Sequence, residues 1–270
     1  MTLTCVPAGN STPTDSGATP IPSAKPKVRE APNVLKTTFE DNFDRAATAP
    51  QASAAPSPSS PPAGSSSAAP APSGSAVATN ASSVGASNLG PNWYQAQTSA
   101  WHIENGKLCG SGAHNHGVWL QKPIPINARI EFDATSDTAD GDLKAEVWGD
   151  GQSAATSTTY NNATSYLTIF GGWKNTFHVL ARLNEHGSDR KEIPLEKDSD
   201  DPKRRTVTGG QPYHFKIERT DGKTVHWYVD GVEYLSFTDN APLVGLGHDH
   251  FGFNDWEVKV CFDNVKVTPL

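Results

Sequence analysis

Three runs of alternating apolar and polar residues in the segment 211–239 constrain the fold more than any other part of the chain. The runs are joined at Asp221-Gly222 and Asp230-Gly231, and Asp-Gly pairs adopt the positive φ angles that tight hairpin turns require. This pattern predicts a three-stranded antiparallel meander with one apolar and one polar face. The predicted apolar face consists of Phe215, Ile217, Val225, Trp227 and Val229.

Strand-like runs also make up the rest of the sequence outside the low-complexity segments. Short strand-like runs separated by Gly, Asn and Pro continue to residue 267, and no stretch of useful length has helical periodicity. A chain of many short strands must bury one face of each strand against a second sheet. We therefore predict an all-β fold, an antiparallel β-sandwich of the jelly-roll type.

Two segments lack the residues that form a core. Residues 1–33 are rich in Pro, Ser, Thr and Ala, and residues 46–88 contain no charged and no aromatic residue. Such segments bury too little apolar area to offset the entropy of ordering their backbone. We predict a disordered tail over residues 1–33 and one β-sandwich domain over residues 34–270, interrupted by a low-complexity insertion at 46–88.

The charge balance bears on possible partners. The net charge is -7 and the sequence pI is about 5.7, whereas nucleic-acid binding requires a concentrated positive surface. The sequence shows no apolar run of membrane-spanning length and no hydrophobic segment of the signal-peptide type before the fold. We therefore expect neither nucleic acid as a partner nor a transmembrane segment.

The three cysteines leave alternatives open. Cys5 precedes a tether rich in Pro, Ser, Thr and Ala, as in a processed bacterial lipoprotein, but residues 1–4 do not form a good lipidation motif, so Cys5 is either a lipid anchor or an ordinary cysteine. Cys109 and Cys261 lie in strand-like runs and are either paired or two buried free thiols. Location at the bacterial envelope or secretion would favour the pair.

Several motifs together resemble a known superfamily. They are FEDNFDR, WHIENGKL, ARIEFDA, WYVDGVEY and CFDNVKVTPL, and they are similar to motifs of the concanavalin A-like lectin/glucanase superfamily. More narrowly, they resemble bacterial laminin-G-like and 3-keto-disaccharide-hydrolase-type domains. The resemblance covers nearly the whole predicted domain and implies the β-sandwich. It specifies a fold more than an activity, because this superfamily includes lectins, glycosidases and adhesive modules.

The polar faces of the predicted strands suggest a sugar-binding surface. Carboxylates and amides accept hydrogen bonds from sugar hydroxyls, Arg and His donate them, and an exposed aromatic ring stacks on a pyranose. Trp148 and Trp173 are the predicted stacking platforms, and no catalytic residue is assigned. The alternative is a salt-bridged solvent face with the tryptophans in the core. The predicted ligand residues are Glu131, Glu146, Trp148, Trp173, His178 and Arg182, with His250 and Asn254 at the rim.

An enzymatic interpretation is the first alternative. Glu131-Phe132-Asp133 resembles the catalytic strand of laminarinase-type retaining glycosidases, but Thr135 and Ser136 stand where the second glutamate should be. A retaining mechanism needs two carboxyl groups about 5–5.5 Å apart, and Glu131 and Glu146 on adjacent strands could supply them. A protein-protein module of the laminin-G kind is the second alternative.

The resemblance also implies a structural calcium ion. Members of the superfamily often hold one between the first and last strands, and Asp41 and Asp263 lie at positions similar to those that supply its oxygen ligands. The alternative at the second position is that Asp263-Asn264 forms a β-bulge. Our leading interpretation is a carbohydrate-binding or adhesive module that binds a polysaccharide or glycan, on a flexible tether at the bacterial envelope.

Overall fold

The computed structural model of the chain describes residues 28–45, 89–95 and 100–270. Cys5 and the insertion 46–88 lie outside the described residues, as does most of the predicted tail. Residues 28–33 are described, and they contact the domain: Leu246 N donates to Arg29 O at 3.0 Å, and Ala31 is buried. The contacts of the domain therefore begin before the predicted boundary at residue 34.

The described residues form fifteen strands and almost no helix. A four-residue helical turn, α1, covers Gly172–Asn175, and a short 3-10 helix covers Pro202–Arg204. The strands in chain order are β1 (Phe39–Asp41), β2 (Trp93–Gln95), β3 (Trp101–Glu104), β4 (Lys107–Gly110), β5 (Val118–Leu120), β6 (Ala128–Ser136), β7 (Leu143–Gly149), β8 (Tyr166–Gly171), β9 (Phe177–Arg182), β10 (Lys191–Pro194), β11 (Pro212–Arg219), β12 (Thr224–Val229), β13 (Val232–Thr238), β14 (His250–Asn254) and β15 (Val260–Pro269).

Two antiparallel sheets pack as a sandwich, which confirms the predicted fold class. The eight-stranded sheet has the order β13-β12-β11-β6-β15-β4-β3, with β1 also paired to β15. The seven-stranded sheet has the order β10-β9-β8-β7-β14-β5-β2. The main core lies between the sheets, where Phe253 of β14 stacks on Phe262 of β15 with ring centroids 3.9 Å apart.

The predicted meander is confirmed as β11, β12 and β13. Asp230 and Gly231 have φ angles of 50° and 79°, the positive values that a two-residue hairpin turn requires. The five residues of the predicted apolar face are all buried in the main core. Cys109 and Cys261 lie opposite each other on β4 and β15 and form a disulfide, which decides between the two alternatives in favour of the pair.

The central strands of the seven-stranded sheet, β7 and β8, are buried on both faces. The inner face of the sheet contributes Leu180 and Tyr166 to the main core. Its outer face carries a second apolar cluster, covered in part by the loop 150–164 and made of Tyr160, Ala163, Leu167, Ile169, Val179 and Ala181. In the described part of the chain, no helix has both the length and the hydropathy to cross a membrane.

Candidate functional site

A cavity of about 780 Å³ opens on the outer face of the seven-stranded sheet, over the start of β7. Neighbouring elements build it: the β6–β7 and β14–β15 loops, the turn between β8 and β9, and the loop after β9. Cavities of roughly 300–1,000 Å³ are typical of small-molecule sites. Its floor and walls include Asn115, Asp142, Lys144, Trp173, Glu185 and Trp256.

The floor of the cavity is a buried ionic network centred on Lys144. Its Nζ donates to Asn115 Oδ1 at 2.9 Å and lies 3.1 Å from Glu185 Oε1 and 3.6 Å from Asp142 Oδ1. Asn115 Nδ2 in turn donates to Glu185 Oε2 at 3.4 Å. Lys144 is therefore held by one hydrogen bond and by two carboxyl groups at ion-pair distance, which keeps the floor in one arrangement.

The carboxyl groups around Lys144 are electrostatically coupled. Burial raises the pKa of Asp142, and Lys144 opposes this shift. Burial, with a further contribution from Asp142, raises the pKa of Asp255 to about 7. Burial by itself would lower the pKa of Lys144, but Asp142 and Glu185 more than offset it, so this pKa is raised and the ammonium group stays charged.

A second buried polar group lies next to the floor on the same strand. Glu146 accepts hydrogen bonds from Ser165 Oγ at 2.5 Å, Asn254 Nδ2 at 2.6 Å and Tyr160 Oη at 3.0 Å. Burial raises the pKa of Glu146 to about 7, although these hydrogen bonds oppose the shift. Tyr160 comes from the loop 150–164, so its hydrogen bond to Glu146 anchors this loop to the outer face of the sheet.

One wall of the cavity is Trp173, which α1 presents at the end of β8. Trp173, Lys174 and Asn175 have φ angles of 52°, 55° and 61°, and three successive left-handed residues other than glycine are energetically costly. Asn175 holds this turn in place, because its side chain accepts from Val207 N at 2.8 Å and donates to Val207 O at 2.8 Å. Trp173 is half-buried, with the Arg190 guanidinium 4.9 Å from its ring centroid.

The other wall is Trp256, which follows β14. Its backbone N donates to Asp142 Oδ2 at 3.1 Å. Its ring packs against the His114 ring in a T-shaped arrangement, with ring centroids 4.9 Å apart. Because β8 and β14 pair with opposite edges of β7, Trp173 and Trp256 come from the two sides of Lys144. The cavity thus has two half-buried aromatic walls and a buried polar floor.

The prediction that Trp148 is an exposed stacking platform is wrong. Its side chain is fully buried in the main core, and Nε1 donates to Pro125 O at 3.1 Å. The reason is a β-bulge: His250 pairs with Gly149 and Phe251 with Val147, so Trp148 is the extra residue, with φ 55°. A bulge changes the face to which the next side chain points, and strand alternation therefore placed Trp148 on the wrong side.

His178 and Arg182 also lie away from the cavity, because the assumed faces of β9 are reversed. His178 packs between the sheets on Phe170, with ring centroids 4.1 Å apart, and burial lowers its pKa to about 3. Arg182 donates to Asp239 Oδ2 at 2.6 Å. The opposite face of β9, which carries Val179 and Ala181, packs in the outer cluster.

The remaining predicted residues divide between the two sheets. Glu131 is on β6 of the eight-stranded sheet, opposite Lys216, so it cannot form a catalytic pair with Glu146. His250 does not line the cavity, and its Nδ1 is 2.8 Å from Asp249 Oδ1. Trp173 lines the cavity, and Asn254 directly contacts Glu146.

The described residues do not fit the predicted calcium site. Asp41 accepts hydrogen bonds from Phe43 N, from two nitrogens of Arg45 and from Trp93 Nε1, at 2.6–3.0 Å. These four donors use the lone-pair sites that a carboxylate offers to a cation. At Asp263 the pairing of β15 with β6 shifts register, as the β-bulge alternative predicted. Among the described residues, no group of three or more His, Cys, Asp or Glu side chains is placed to hold a metal ion.

Sequence reasoning missed most of the floor. Lys144 alternates with Glu146 on the predicted polar face of β7, so alternation was a usable signal for it. Asn115, Glu185 and Trp256 come from loops, and no periodic pattern marks a loop residue as part of a site.

Several solved structures are similar to parts of this chain. The carbohydrate-binding module CBM66 from Bacillus subtilis is 16% identical with a TM-score of 0.46, covering 65% of this chain and 94% of that one. The Caenorhabditis elegans galectin LEC-6 is 11% identical with a TM-score of 0.37, covering 54% and 87%. A mutant of the alginate lyase Aly36B, in complex with alginate tetrasaccharide, is 11% identical with a TM-score of 0.41, covering 67% and 86%. At these values the similarity carries no argument about ligand or activity.

The fold and the family are established on other grounds. The two antiparallel sheets confirm the predicted β-sandwich. Among curated proteins, none matches the chain. One family model matches residues 112–265, more than half of the chain, and this range contains the floor and both walls of the cavity. The chain therefore belongs to the DUF6250 family, described as a domain of unknown function.

Proposed function

We propose that the domain binds a glycan in the cavity over the start of β7. The observation that carries this proposal is the placement of Trp173 and Trp256 on the two sides of a buried polar floor. Aromatic rings stack on the apolar faces of sugar rings, while carboxylate and amide oxygens accept hydrogen bonds from sugar hydroxyls. This combination is typical of sites that orient a polar ligand by a few fixed groups.

The site is organised before a ligand arrives. Lys144 fixes Asn115, Asp142 and Glu185 in one arrangement, and Asn175 holds the left-handed turn that presents Trp173. A site that is already ordered loses little conformational entropy on binding. The left-handed backbone at Trp173, Lys174 and Asn175 also supports a functional role for this wall of the cavity. Such strain persists where a structure must present a particular side chain.

Binding without hydrolysis is favoured by the state of the carboxyl groups. A glycosidase needs one protonated carboxyl group as acid and a second carboxylate as nucleophile or base, both facing the glycosidic bond. Asp142 and Glu185 both contact the Lys144 ammonium group. Glu146, whose pKa of about 7 would suit a general acid, is buried beneath Tyr160 and Asn254.

We also propose that the domain works outside the cytoplasm, at the bacterial envelope or as a secreted protein. The Cys109–Cys261 disulfide supports this location, because structural disulfides persist in oxidising compartments. Mass spectrometry of non-reduced peptides from cell fractions would test it. Two free thiols at these positions in protein taken from cells would contradict the proposal.

A glycan array probed with the full chain tests the proposed function, together with release of reducing sugar from every glycan that binds. We expect binding to at least one glycan class and no release of reducing ends. Release would identify a glycoside hydrolase instead. Binding to no glycan would favour the laminin-G-like alternative, a module that contacts proteins.

A further inference from the structure

The cavity carries information about the chemical class of its glycan, and this inference rests on the proposed function. The groups of the floor are unevenly divided between donors and acceptors. Lys144 is only 2% exposed, donates to Asn115 and lies within ion-pair distance of Glu185 and Asp142, so its ammonium group is not presented to a ligand. A carboxylate has about four lone-pair sites, and neither Asp142 nor Glu185 has all of these occupied.

The floor therefore offers acceptors and few donors. Asp142 uses one oxygen for Lys144 and the other for Trp256 N, and Glu185 likewise contacts Lys144 and Asn115 with its two oxygens. Each of these oxygens keeps a second lone-pair direction. A ligand group that faces this floor gains a hydrogen bond only if it donates, as a hydroxyl or an ammonium group does.

The charged residues at the rim of the cavity also favour a ligand that is not acidic. Asp140 and Glu257 are exposed carboxyl groups that line the cavity, and no Lys or Arg nitrogen of the described residues lies within 4.0 Å of Glu257, whose nearest partner is the His114 ring at 3.9 Å. Of the lining lysines, Lys259 is bound to Glu104 at 2.8 Å, outside the lining. In the described part of the chain, Lys174 alone among the lining lysines makes no ion pair.

A further carboxyl group lies behind the floor. Asp255 is fully buried next to Asp142 and Lys144, and its Oδ1 has no hydrogen-bond partner among the described residues. The lining itself holds four carboxyl groups against three lysines: Asp140, Asp142, Glu185 and Glu257 against Lys144, Lys174 and Lys259. A carboxylate or sulfate group of a ligand would face like charge here, and it would find no donor on the floor.

We propose that this cavity selects uncharged or basic sugars, whose hydroxyl or ammonium groups donate to its floor, and rejects acidic glycans. Uronates and sulfated sugars are acceptor-only at their charged groups, so they lose both the hydrogen bonds and the charge complementarity. Amino sugars gain both the hydrogen bonds and the charge complementarity.

The test compares three series of oligosaccharides that share one linkage and differ in charge, and it adds an array of glycans with other linkages. The full chain is titrated with β-1,4-linked oligomers of glucose, glucosamine and glucuronic acid, and the array contains neutral, basic and acidic glycans. We expect every glycan that binds to be neutral or basic, with the glucosamine oligomers binding at least as well as the glucose oligomers. On the array, acidic glycans should stay at background.

Charge reversal at the rim supplies the matched variants. Glu257→Lys should weaken binding of a basic glycan by about two- to five-fold, the range of one exposed charge contact, and should raise binding of acidic ones. Glu40→Lys is the control, because it makes the same change of charge on β1 of the eight-stranded sheet, where Glu40 is exposed and pairs with Lys266. The control should leave both affinities unchanged.

The outcomes separate this inference from the proposed function. If acidic glycans bind as well as neutral ones, the inference is wrong and the glycan-binding function stands. An equal response of Glu257→Lys and Glu40→Lys would likewise overturn the inference, since charge at the rim would then play no part. If no glycan binds, the proposed function fails, and the inference fails with it.

Discussion

Lys144 Nζ lies 3.1 Å from Glu185 Oε1, and both side chains are buried beneath the cavity. The pair joins β7 to the loop that follows β9, two strands away in the same sheet. Removing one partner of a buried ion pair leaves the other as an uncompensated charge, which costs more than the pair contributes when intact. The floor of the proposed site is therefore also a determinant of stability.

Lys144→Met should lower the free energy of unfolding by about 3–5 kcal/mol at pH 7, because Asp142, Glu185 and Asp255 would lose their buried cation. At pH 5 the loss should be smaller, since burial raises the pKa of Asp142 and raises that of Asp255 to about 7, and protonation of these two groups removes their repulsion. Urea denaturation at the two pH values measures both effects. Lys174→Met, at an exposed position, is the control and should change little. A loss independent of pH would show that Lys144 contributes by packing alone.

Glu146→Gln should change the pH dependence of stability. The pKa of Glu146 is about 7 in the folded protein, above its ordinary value of 4.5, so the folded state binds more protons between these two values. Stability therefore falls as the pH rises through that window. In the variant, the decrease in the free energy of unfolding across this window should be smaller by about 3 kcal/mol. Thermal or urea unfolding from pH 4 to 8 measures it. Glu131→Gln on the eight-stranded sheet should keep the wild-type slope, and an unchanged slope in Glu146→Gln would contradict the assignment.

The two tryptophans of β7 and α1 should behave in opposite ways. Trp148→Ala should cost about 3–5 kcal/mol of stability, because it empties a site in the main core. Trp173→Ala should change stability much less and should weaken glycan binding. Unfolding midpoints and glycan affinity measured on both variants separate the two roles. A stable Trp148→Ala variant would contradict the core placement.

The disulfide should contribute strongly to stability, because it joins residues 152 positions apart in sequence. On the chain-entropy model, closing a loop of that length is worth about 5 kcal/mol. The double variant Cys109→Ser/Cys261→Ser should unfold at a much lower urea concentration than the wild type. Treatment of the wild type with a reductant should give a similar loss. Equal midpoints for oxidised and reduced protein would show that the bond adds nothing.

Much of the fold could be predicted from local chemistry. Asp230-Gly231 fixed a hairpin because its backbone angles are restricted, and the alternation in β11 and β12 placed Phe215 and Trp227 correctly in the core. These features depend on neighbours in sequence. The cysteine pair was a prediction with an open alternative, because the pairing of β4 with β15 depends on the whole sheet.

The site was harder to predict, for two physical reasons. A single bulge at Trp148 reversed the face of one residue without any signal in the sequence. Strand alternation also assumes that one face of a sheet is exposed to solvent. Both faces of β9 are buried instead, so His178 lies between the sheets, away from the cavity, while Val179 packs on the outer face. The loop residues Asn115 and Glu185 reach Lys144 through the tertiary fold alone.

The central claim is that a glycan binds between Trp173 and Trp256. Isothermal titration with the best glycan from the array tests it most directly, using the wild type, Trp173→Ala, Trp256→Ala and the control Tyr228→Ala on the opposite sheet. We predict that each cavity variant loses about tenfold or more in affinity while its unfolding midpoint stays near the wild-type value, and that the control binds normally. Full affinity in both cavity variants would show that the glycan binds elsewhere and would contradict the account.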